Sequence, residues 1–241
     1  MKKSFAVAAA LALISLAARA DDPKGASERN FVFELKVSPF LPNMDNGYAT
    51  GTGPYYTLYG GGPMLLAEGE LDFEVWKKFG TISVGVGGGY GEKYGHAFIA
   101  GTTTRSAEAS GLHLVPLKLL VTYRFDLLWN RFDIPLVPFI KGAFVVMPWW
   151  ATKGTDIEVT DTGLRAAGYK SGLAGTLGVA FVLDFLDRRL ARDFDTASGV
   201  NHTALFAEFT LQDMGLFELS TNTKPLDLSS KHWDFGISFE F

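Results

Sequence analysis

Apolar and polar residues alternate with a period of two along much of the chain. The clearest segment is 232–241, where large apolar residues occupy every odd position and polar residues or glycine occupy every even position. Because successive side chains of a β-strand point to opposite faces, this pattern predicts a strand with one apolar and one polar face. A strand of about ten residues tilted by about 45° rises about 23 Å, close to the height of the apolar band of an outer-membrane barrel.

The same alternation predicts seven further strands, which makes eight. Their apolar phases run through Phe31–Val37, Leu71–Val75, Ile82–Tyr90, Leu117–Phe125 and Leu177–Phe185, with two less regular segments at Pro135–Trp149 and Thr203–Leu211. We expect Pro116, Pro135 and Pro138 at strand starts or bulges, because proline cannot donate a ladder hydrogen bond.

The predicted connections alternate in length. Short links at Lys77–Gly80 and Leu127–Asp133 separate long links that are rich in Gly, Thr, Ser and Asp, at 39–63, 91–111, 151–171 and 212–231. A third link on the short side, Leu186–Val200, is longer, and its residues 187–193 predict an amphipathic helix under the barrel. Short turns at one end and long loops at the other are typical of outer-membrane barrels. The sequence therefore predicts an all-β fold, an eight-stranded antiparallel transmembrane up-and-down β-barrel.

The first twenty residues predict a secretory signal peptide. Lys2 and Lys3 precede an apolar core at 5–17, and Ala18-Arg19-Ala20 supplies a small-residue cleavage pattern. The apolar core is too short to span a bilayer as a helix. We therefore expect cleavage after residue 20, export, and a barrel domain at 21–241 in the outer membrane.

Alternation alone does not say which face of the barrel meets water, so a lipocalin-like soluble barrel is the rival prediction. Two features favour lipid outside. The polar faces carry small and charged residues, which suit the narrow interior of an eight-stranded barrel. Tryptophan lies near the strand ends, where aromatic girdles meet lipid headgroups. The predicted girdle consists of Trp76, Trp129, Trp149, Trp150 and Trp233.

Composition removes several classes of function. The 241 residues include no cysteine, which excludes thiol catalysis, disulfide scaffolds and cysteine-based metal sites. A formal net charge of −4 gives no basic surface for nucleic acid. The four histidines are scattered without metal-ligand spacing. We therefore predict no metal site, no cofactor and no nucleic-acid partner.

Charged residues on the polar phases predict a network inside the barrel. One interpretation is a charged lumen that guides ions or a small solute. The other is a salt-bridged interior that fills the barrel, because a buried charge is tolerated when it is paired. The predicted network consists of Glu70, Asp72, Glu74, Lys118, Arg124, Lys141, Glu208, Asp234 and Glu240.

Two resemblances add to this interpretation. The last strand, with its final phenylalanine, resembles the C-terminal signal recognised by the barrel assembly machinery, and the signal residues are Phe235, Ile237, Phe239 and Phe241. Internal motifs resemble the myxobacterial outer-membrane β-barrel family, over roughly 31–241. They lie at 114–117, 123–126, 135–141, 183–187 and 199–203, followed by Phe206 and Glu208. This resemblance implies fold and compartment, and it implies no substrate or catalytic residue.

The predicted role is structural or surface-interacting and non-catalytic, with outer-membrane lipids and the assembly machinery as partners. Aromatic residues in the long loops could decorate an exterior recognition surface, although no extracellular ligand is predicted; they are Tyr48, Tyr55, Tyr56, Tyr59, Tyr94 and Phe98. The first alternative is a narrow solute or ion pore. The second is a lipid-modifying hydrolase, for which His202 in Asn201-His202-Thr203 is the candidate base.

Overall fold

The computed structural model of the protein describes residues 30–99, 101–132, 134–159, 163, 165–184, 199–215 and 226–241. The predicted signal peptide at 1–20 and the predicted helix at 187–193 lie outside the described residues.

The described residues form one antiparallel sheet of ten strand segments and two short helices. The strands are β1 (Phe31–Phe40), β2 (Met64–Lys77), β3 (Thr81–Gly95), β4 (Ser110–Leu114), β5 (Leu117–Arg124), β6 (Leu136–Lys153), β7 (Asp156–Ile157), β8 (Ala167–Val182), β9 (His202–Asp213) and β10 (Ser230–Glu240). The helices are α1 (Pro54–Tyr59) and α2 (Leu127–Phe132).

The sheet closes into an eight-stranded barrel, as predicted. Segments β4 and β5 are two halves of one strand, interrupted at Val115 and Pro116, and both halves pair with β3 and β6. The two-residue β7 only extends an edge of β6. Closure comes from β10, which pairs with β1 in a register that runs from Val32 opposite Glu240 to Val37 opposite Phe235.

Several strands extend further toward the long loops than predicted. Strand β2 begins at Met64, β3 continues to Gly95, and β4 begins at Ser110, inside the predicted loop at 91–111. The reason is a change of polarity inside the barrel. Toward the long-loop end the inward side chains become apolar, as at Leu112 and Leu114, so the apolar–polar alternation that reveals a strand disappears.

A bulge in β2 changes the direction of one predicted side chain. The register with β3 shifts between Glu74 and Trp76, and the extra residue is Val75. Because a bulge sets two residues against one, Val75 and Trp76 both lie on the outward face, although their positions in sequence predict opposite faces.

The barrel has the inverted polarity of a transmembrane fold. Its outward positions are apolar and exposed, whereas many inward positions are charged and buried. No helix in the described part of the chain is long and apolar enough to cross a membrane. Exposed outward residues include Leu35, Val37, Leu71, Phe73, Val84, Val86, Leu119, Val121, Ile140, Leu177, Val179, Leu205 and Phe235.

The interior of the barrel is divided into three layers. An upper apolar cluster at the long-loop end includes Phe40, Leu66 and Met147, and a lower apolar cluster at the short-turn end includes Phe139 and Phe206. The charged layer lies between them, because its residues occupy the middle of the same strands. This layer is the candidate functional site.

Candidate functional site

Lys36 and Lys141 form the centre of the charged layer. Lys36 Nζ lies 2.8 Å from Glu70 Oε2 and 2.6 Å from Glu208 Oε1. Lys141 Nζ lies 2.6 Å from Glu70 Oε1 and 3.3 Å from Glu208 Oε2. All four side chains are buried. Each carboxylate therefore bridges two ammonium groups, an arrangement that lets charges remain in a dry interior.

Glu34 extends this centre toward the short-turn end. It contacts Lys141 through one oxygen and lies 2.7 Å from Arg124 Nη2 through the other. Arg124 Nη1 also lies 2.8 Å from Glu240 Oε1. A single guanidinium thus joins β1, β5 and β10, which meet at the base of the barrel.

Three more carboxylates have other partners. Glu68 lies 2.6 Å from Lys118 Nζ, toward the upper apolar cluster. Asp72 accepts a hydrogen bond from Ser83 Oγ at 3.2 Å, and Glu74 pairs with Lys77 at 2.8 Å.

Asp234 is bound by hydroxyl groups. It accepts a 2.7 Å hydrogen bond from Thr210 Oγ1 and a second from Ser38 Oγ. Its Oδ1 also lies 3.5 Å from His232 Nε2. These partners come from three neighbouring strands, so Asp234 ties them together without a Lys or Arg contact among the described residues.

The structure brings Glu70, Lys141, Arg124, Glu208 and Glu240 into one connected network and leaves four other predicted residues, Asp72, Glu74, Lys118 and Asp234, in smaller satellite contacts. The predicted network omitted Glu34 and Lys36, which supply much of the connectivity. The polar phase of β1 is the signal that identifies both, because Glu34, Lys36 and Ser38 alternate with apolar residues.

Glycines make room for these side chains. A Cβ at Gly178 would lie 2.3 Å from Phe139 Cζ and 2.8 Å from Glu208 Cβ. At Gly85 it would lie 1.9 Å from Asp72 Oδ1. The glycine-rich run at 85–91 therefore lines a crowded wall, and its missing side chains are part of how the interior packs.

Helix α1 covers the upper end of the lumen. Tyr55 and Tyr59 are buried in the upper apolar cluster, and Asp45 holds the start of the helix by accepting hydrogen bonds from the backbone N–H groups of Tyr55 and Tyr56, at 2.7 and 2.9 Å. The Tyr55 hydroxyl donates to the Gly62 carbonyl at 2.9 Å. Burial, together with Tyr59 and Asp45 nearby, raises the pKa of Tyr55 to about 12. Both tyrosines therefore belong to the interior and are unavailable to an exterior surface.

Trp129 of α2 lies at the lower end. It packs against the lower apolar cluster, and its ring meets His202 edge-on at 6.2 Å. His202 Nδ1 is hydrogen-bonded to Asp184 Oδ2. The histidine that the sequence suggests as a catalytic base is thus engaged with a carboxylate at the short-turn end, away from the long loops.

The five predicted girdle tryptophans occupy different environments. Trp76 and Trp233 lie on the outward face, and Trp150 stacks on His113 on that same face. Trp129 and Trp149 differ from the prediction, because they pack against the lower and upper interior clusters. A period of two does not apply to Trp129, because it lies on a helix. For Trp149 the pattern does not reveal the inward direction, because the inward face is apolar there.

Three of the predicted assembly-signal residues, Phe235, Ile237 and Phe239, share one face of β10. Their neighbours Ser238 and Asp234 are buried inside, so these three point outward, and Phe241, directly after the strand, is exposed. Within the described ranges, no group of three or more His, Asp or Glu side chains is arranged to hold a metal ion.

Comparison with known proteins finds fold-level similarity alone. No family model and no curated protein matches the chain. Among solved structures, the chain is similar to Neisserial surface protein A, with 9% identity over 88% of this chain and 97% of that one, at a TM-score of 0.47. It is also similar to OprG from Pseudomonas aeruginosa, with 12% identity over 91% and 99% of the two chains, at a TM-score of 0.43.

A third similar structure is Ail of Yersinia pestis in complex with a heparin analogue, with 10% identity over 89% and 99% of the chains, at a TM-score of 0.42. Similarities this low assign neither a family nor a function. The resemblance to the myxobacterial family is not established by them.

Proposed function

We propose that this protein resides in the outer membrane as a closed β-barrel, with a structural or surface-interacting role and no catalytic cycle. Export through a cleaved signal peptide, membership of the myxobacterial family and insertion by the barrel assembly machinery belong to the same proposal. The observation that carries it is the combination of an apolar outer wall with a charged layer buried between two apolar clusters.

The outer wall supports a lipid environment because so much apolar surface faces outward. Soluble proteins rarely expose contiguous apolar patches beyond a few hundred Å², yet residues such as Leu119, Leu177 and Leu205 belong to a band that follows all eight strands. Backbone polar groups in lipid must be satisfied internally, and a closed barrel achieves this because it has no free edge.

The interior supports a non-conducting barrel. The ammonium and carboxylate groups of the charged layer are buried, and Tyr55 and Phe40 above it and Phe139 and Trp129 below it pack in apolar clusters. One observation favours a pore instead: carboxylates outnumber Lys and Arg side chains among the buried residues described. An excess of negative charge would attract cations if water entered.

Recordings from the refolded full chain in planar lipid bilayers separate these two functions. A filled interior predicts no discrete current steps, whereas a pore predicts steps with cation preference. The variant Tyr55→Ala/Tyr59→Ala removes two large side chains from the upper apolar cluster. It serves as the control that the recording can detect an opened lumen. Discrete steps in the wild-type protein would overturn the non-conducting proposal.

The barrel and its location need a separate measurement. Intact β-barrels migrate faster than their boiled form on gels, so we expect a faster unboiled band in the outer-membrane fraction. A periplasmic soluble protein serves as the fractionation control. An unshifted band that partitions with the soluble periplasm would contradict the membrane proposal.

Exposed aromatic residues in the long loops support the surface-interacting part of the proposal. Tyr48, Tyr56 and Phe98 remain exposed, and the Arg105 guanidinium lies 4.4 Å from the centre of the Phe98 ring. Tyr94, which the sequence predicts in a loop, lies on β3 instead. Rigid aromatic side chains provide contact area at a low entropic cost. Pull-down by the intact barrel, compared with a Tyr48→Ser/Tyr56→Ser variant, tests whether these loops bind a partner; equal capture by both would remove this role from the two tyrosines.

A further inference from the structure

A polar and aromatic cluster interrupts the apolar outer wall near the long-loop end. Glu92, His113 and Trp150 occupy the same rung of three neighbouring strands, since Glu92 lies opposite His113 and His113 opposite Trp150. Their side chains lie on the outward face. We define the outer-wall cluster as Tyr90, Glu92, Tyr94, His113, Trp150 and Thr152.

The height of the cluster corresponds to the level of lipid headgroups. Below the cluster, the outward side chains of β3 are Val86, Val84 and Ile82. Ile82 lies near the start of β3, next to the short turn. The ten steps from Ile82 to Glu92 cover about 33 Å along the strand, and about 25 Å along the barrel axis at a tilt of about 40°. That is roughly the height of the apolar band, so with Ile82 at one boundary Glu92 lies at the other.

Hydrogen bonds in the cluster converge on the Glu92 carboxylate. Tyr90 Oη donates to Glu92 Oε2 at 2.8 Å, and Tyr94 Oη donates to the same oxygen at 3.3 Å. Because the Tyr90 proton is directed to Glu92, the Tyr90 oxygen accepts from His113 Nδ1–H, at 2.7 Å. His113 Nε2 is then the acceptor for Thr152 Oγ1 at 3.4 Å. The carboxylate is held in one place while its side chain stays 46% exposed.

Aromatic rings pack around His113, beside this carboxylate. The buried His113 ring stacks on Trp150 at 5.1 Å and on Tyr90 at 6.1 Å, and it meets Tyr94 edge-on at 5.7 Å. Gly111 makes this packing possible, since a Cβ there would lie 2.6 Å from Thr152 Oγ1 and 2.9 Å from Tyr94 Cε1. With His113 filling the centre, Tyr90 and Tyr94 keep exposed surface beside Glu92.

We propose that the outer-wall cluster binds the ammonium group of a membrane lipid headgroup. A fixed carboxylate attracts a cation, and exposed aromatic faces attract an organic ammonium through their ring quadrupoles. A headgroup with a net negative charge and no ammonium would be repelled by Glu92, so an anionic headgroup is disfavoured at this position. The inference rests on the membrane location proposed above and adds a specific lipid contact to it.

Native mass spectrometry of the full-length barrel tests the inference. The protein is incubated in detergent with equal amounts of phosphatidylethanolamine and phosphatidylglycerol of matched acyl chains, and the ratio of the two retained lipids is measured. We expect the ethanolamine lipid to be retained in excess. A carboxylate–ammonium contact with cation–π support implies that Glu92→Gln lowers this ratio about tenfold.

Two further variants make the test specific. Glu108→Gln removes a half-exposed loop carboxylate, paired with Lys153 at 3.7 Å, and should leave the ratio unchanged. Tyr94→Leu keeps the carboxylate and removes an aromatic face, and should lower the ratio by a smaller factor; it also serves if Glu92→Gln fails to fold.

The competing outcomes are distinct. Equal retention of both lipids, or an unchanged ratio in Glu92→Gln, overturns the lipid site. Loss of the preference on adding a chelator assigns the contact to a divalent cation and overturns the lipid site. A faster-migrating unboiled band in the same samples shows that the barrel itself remains intact, so this inference can fail while the proposed function stands.

Discussion

Lys36 is one of the two ammonium groups at the centre of the charged layer. It is buried with Glu70 and Glu208, 2.8 and 2.6 Å from its Nζ. Lys36→Met leaves these two carboxylates short of a cation, and removing one partner of a buried pair costs about 3–5 kcal/mol. We expect the urea midpoint of the barrel in detergent to fall accordingly, as measured by the fraction of faster-migrating unboiled protein.

Lys153→Met is the matched control for this substitution. The Lys153 ammonium is exposed and lies 3.7 Å from Glu108, so its removal should change the free energy of unfolding by less than about 1 kcal/mol. Equal effects of the two substitutions would contradict a stabilising charged layer. The double variant Lys36→Met/Glu208→Gln should recover part of the loss, because it removes a carboxylate that has lost one of its two ammonium partners.

Glycine in β8 offers a second test of interior packing. Gly178 faces inward, where a methyl group would overlap Phe139 and Glu208, whereas a methyl group at Gly175 would meet nothing within 4 Å. Overpacking costs about 1–3 kcal/mol. Unfolding measured in the same detergent should show Gly178→Ala destabilised by this amount and Gly175→Ala close to wild type. Equal effects of the two substitutions would contradict a packing role for the missing side chain at Gly178.

Much of the charged layer could be predicted at the residue scale, because a period of two assigns every second residue to one face. Glu70, Lys141 and Glu208 follow from this rule. Which charged residues form ion pairs cannot be predicted in the same way, since partners such as Lys36 and Glu208 lie 172 positions apart in the sequence. The outer-wall cluster is equally hidden, because Glu92, His113 and Trp150 meet only through strand register.

Helix α1 is held in the barrel mouth while the Tyr55 phenol is neutral. Burial raises the pKa of Tyr55 to about 12, against about 10 in an unfolded chain. The neutral Tyr55 phenol therefore stabilises the docked helix fully below about pH 10, and this stabilisation is lost as the pH rises through about 12. Phenolate absorbance of wild type minus that of Tyr55→Phe should titrate near pH 12.

A difference titration near pH 10 would contradict the docked position of α1. Tyr56→Phe is the control, because Tyr56 belongs to the same helix but is exposed.

At the scale of elements, the sequence predicts strands well where one face meets lipid and the other meets charge. It misses the strand ends near the long loops, because both faces there are apolar or mixed, as at Leu112 and Tyr94. The two short helices were also missed. Helix α1 depends on Asp45, which lies ten positions before Tyr55 and reaches the helix only after the loop has folded back.

The orientation of the whole barrel can be tested by proteolysis of intact cells. The long loops carry Arg105 and Arg165, and the short turn at the opposite end carries Lys77 and Lys78, all of them exposed. If the long loops face outward, external trypsin should cleave after Arg105 or Arg165 and spare the short turn. Cleavage after Lys78 should appear only once the outer membrane is permeabilised, and cleavage there in intact cells would reverse the orientation.

At the scale of the molecule, the sequence predicts the number of strands, their antiparallel order and the inverted polarity. These properties follow from alternation and from loop lengths, which are local features. The closure of the lumen cannot be predicted in this way, since it depends on how Tyr55, Trp129 and Trp149 turn inward at the two ends.

The position of Glu34, Lys36 and Ser38 on β1 has a consequence for folding. These three residues reach partners on β2, β5, β6, β9 and β10. An open sheet that lacks β1 would deprive Arg124, Glu70 and Glu208 of one charged partner each, so partly closed intermediates form only part of the charged layer. We expect the final pairing of β1 with β10 to be cooperative, and the two ends of the chain to lock the barrel in a single step.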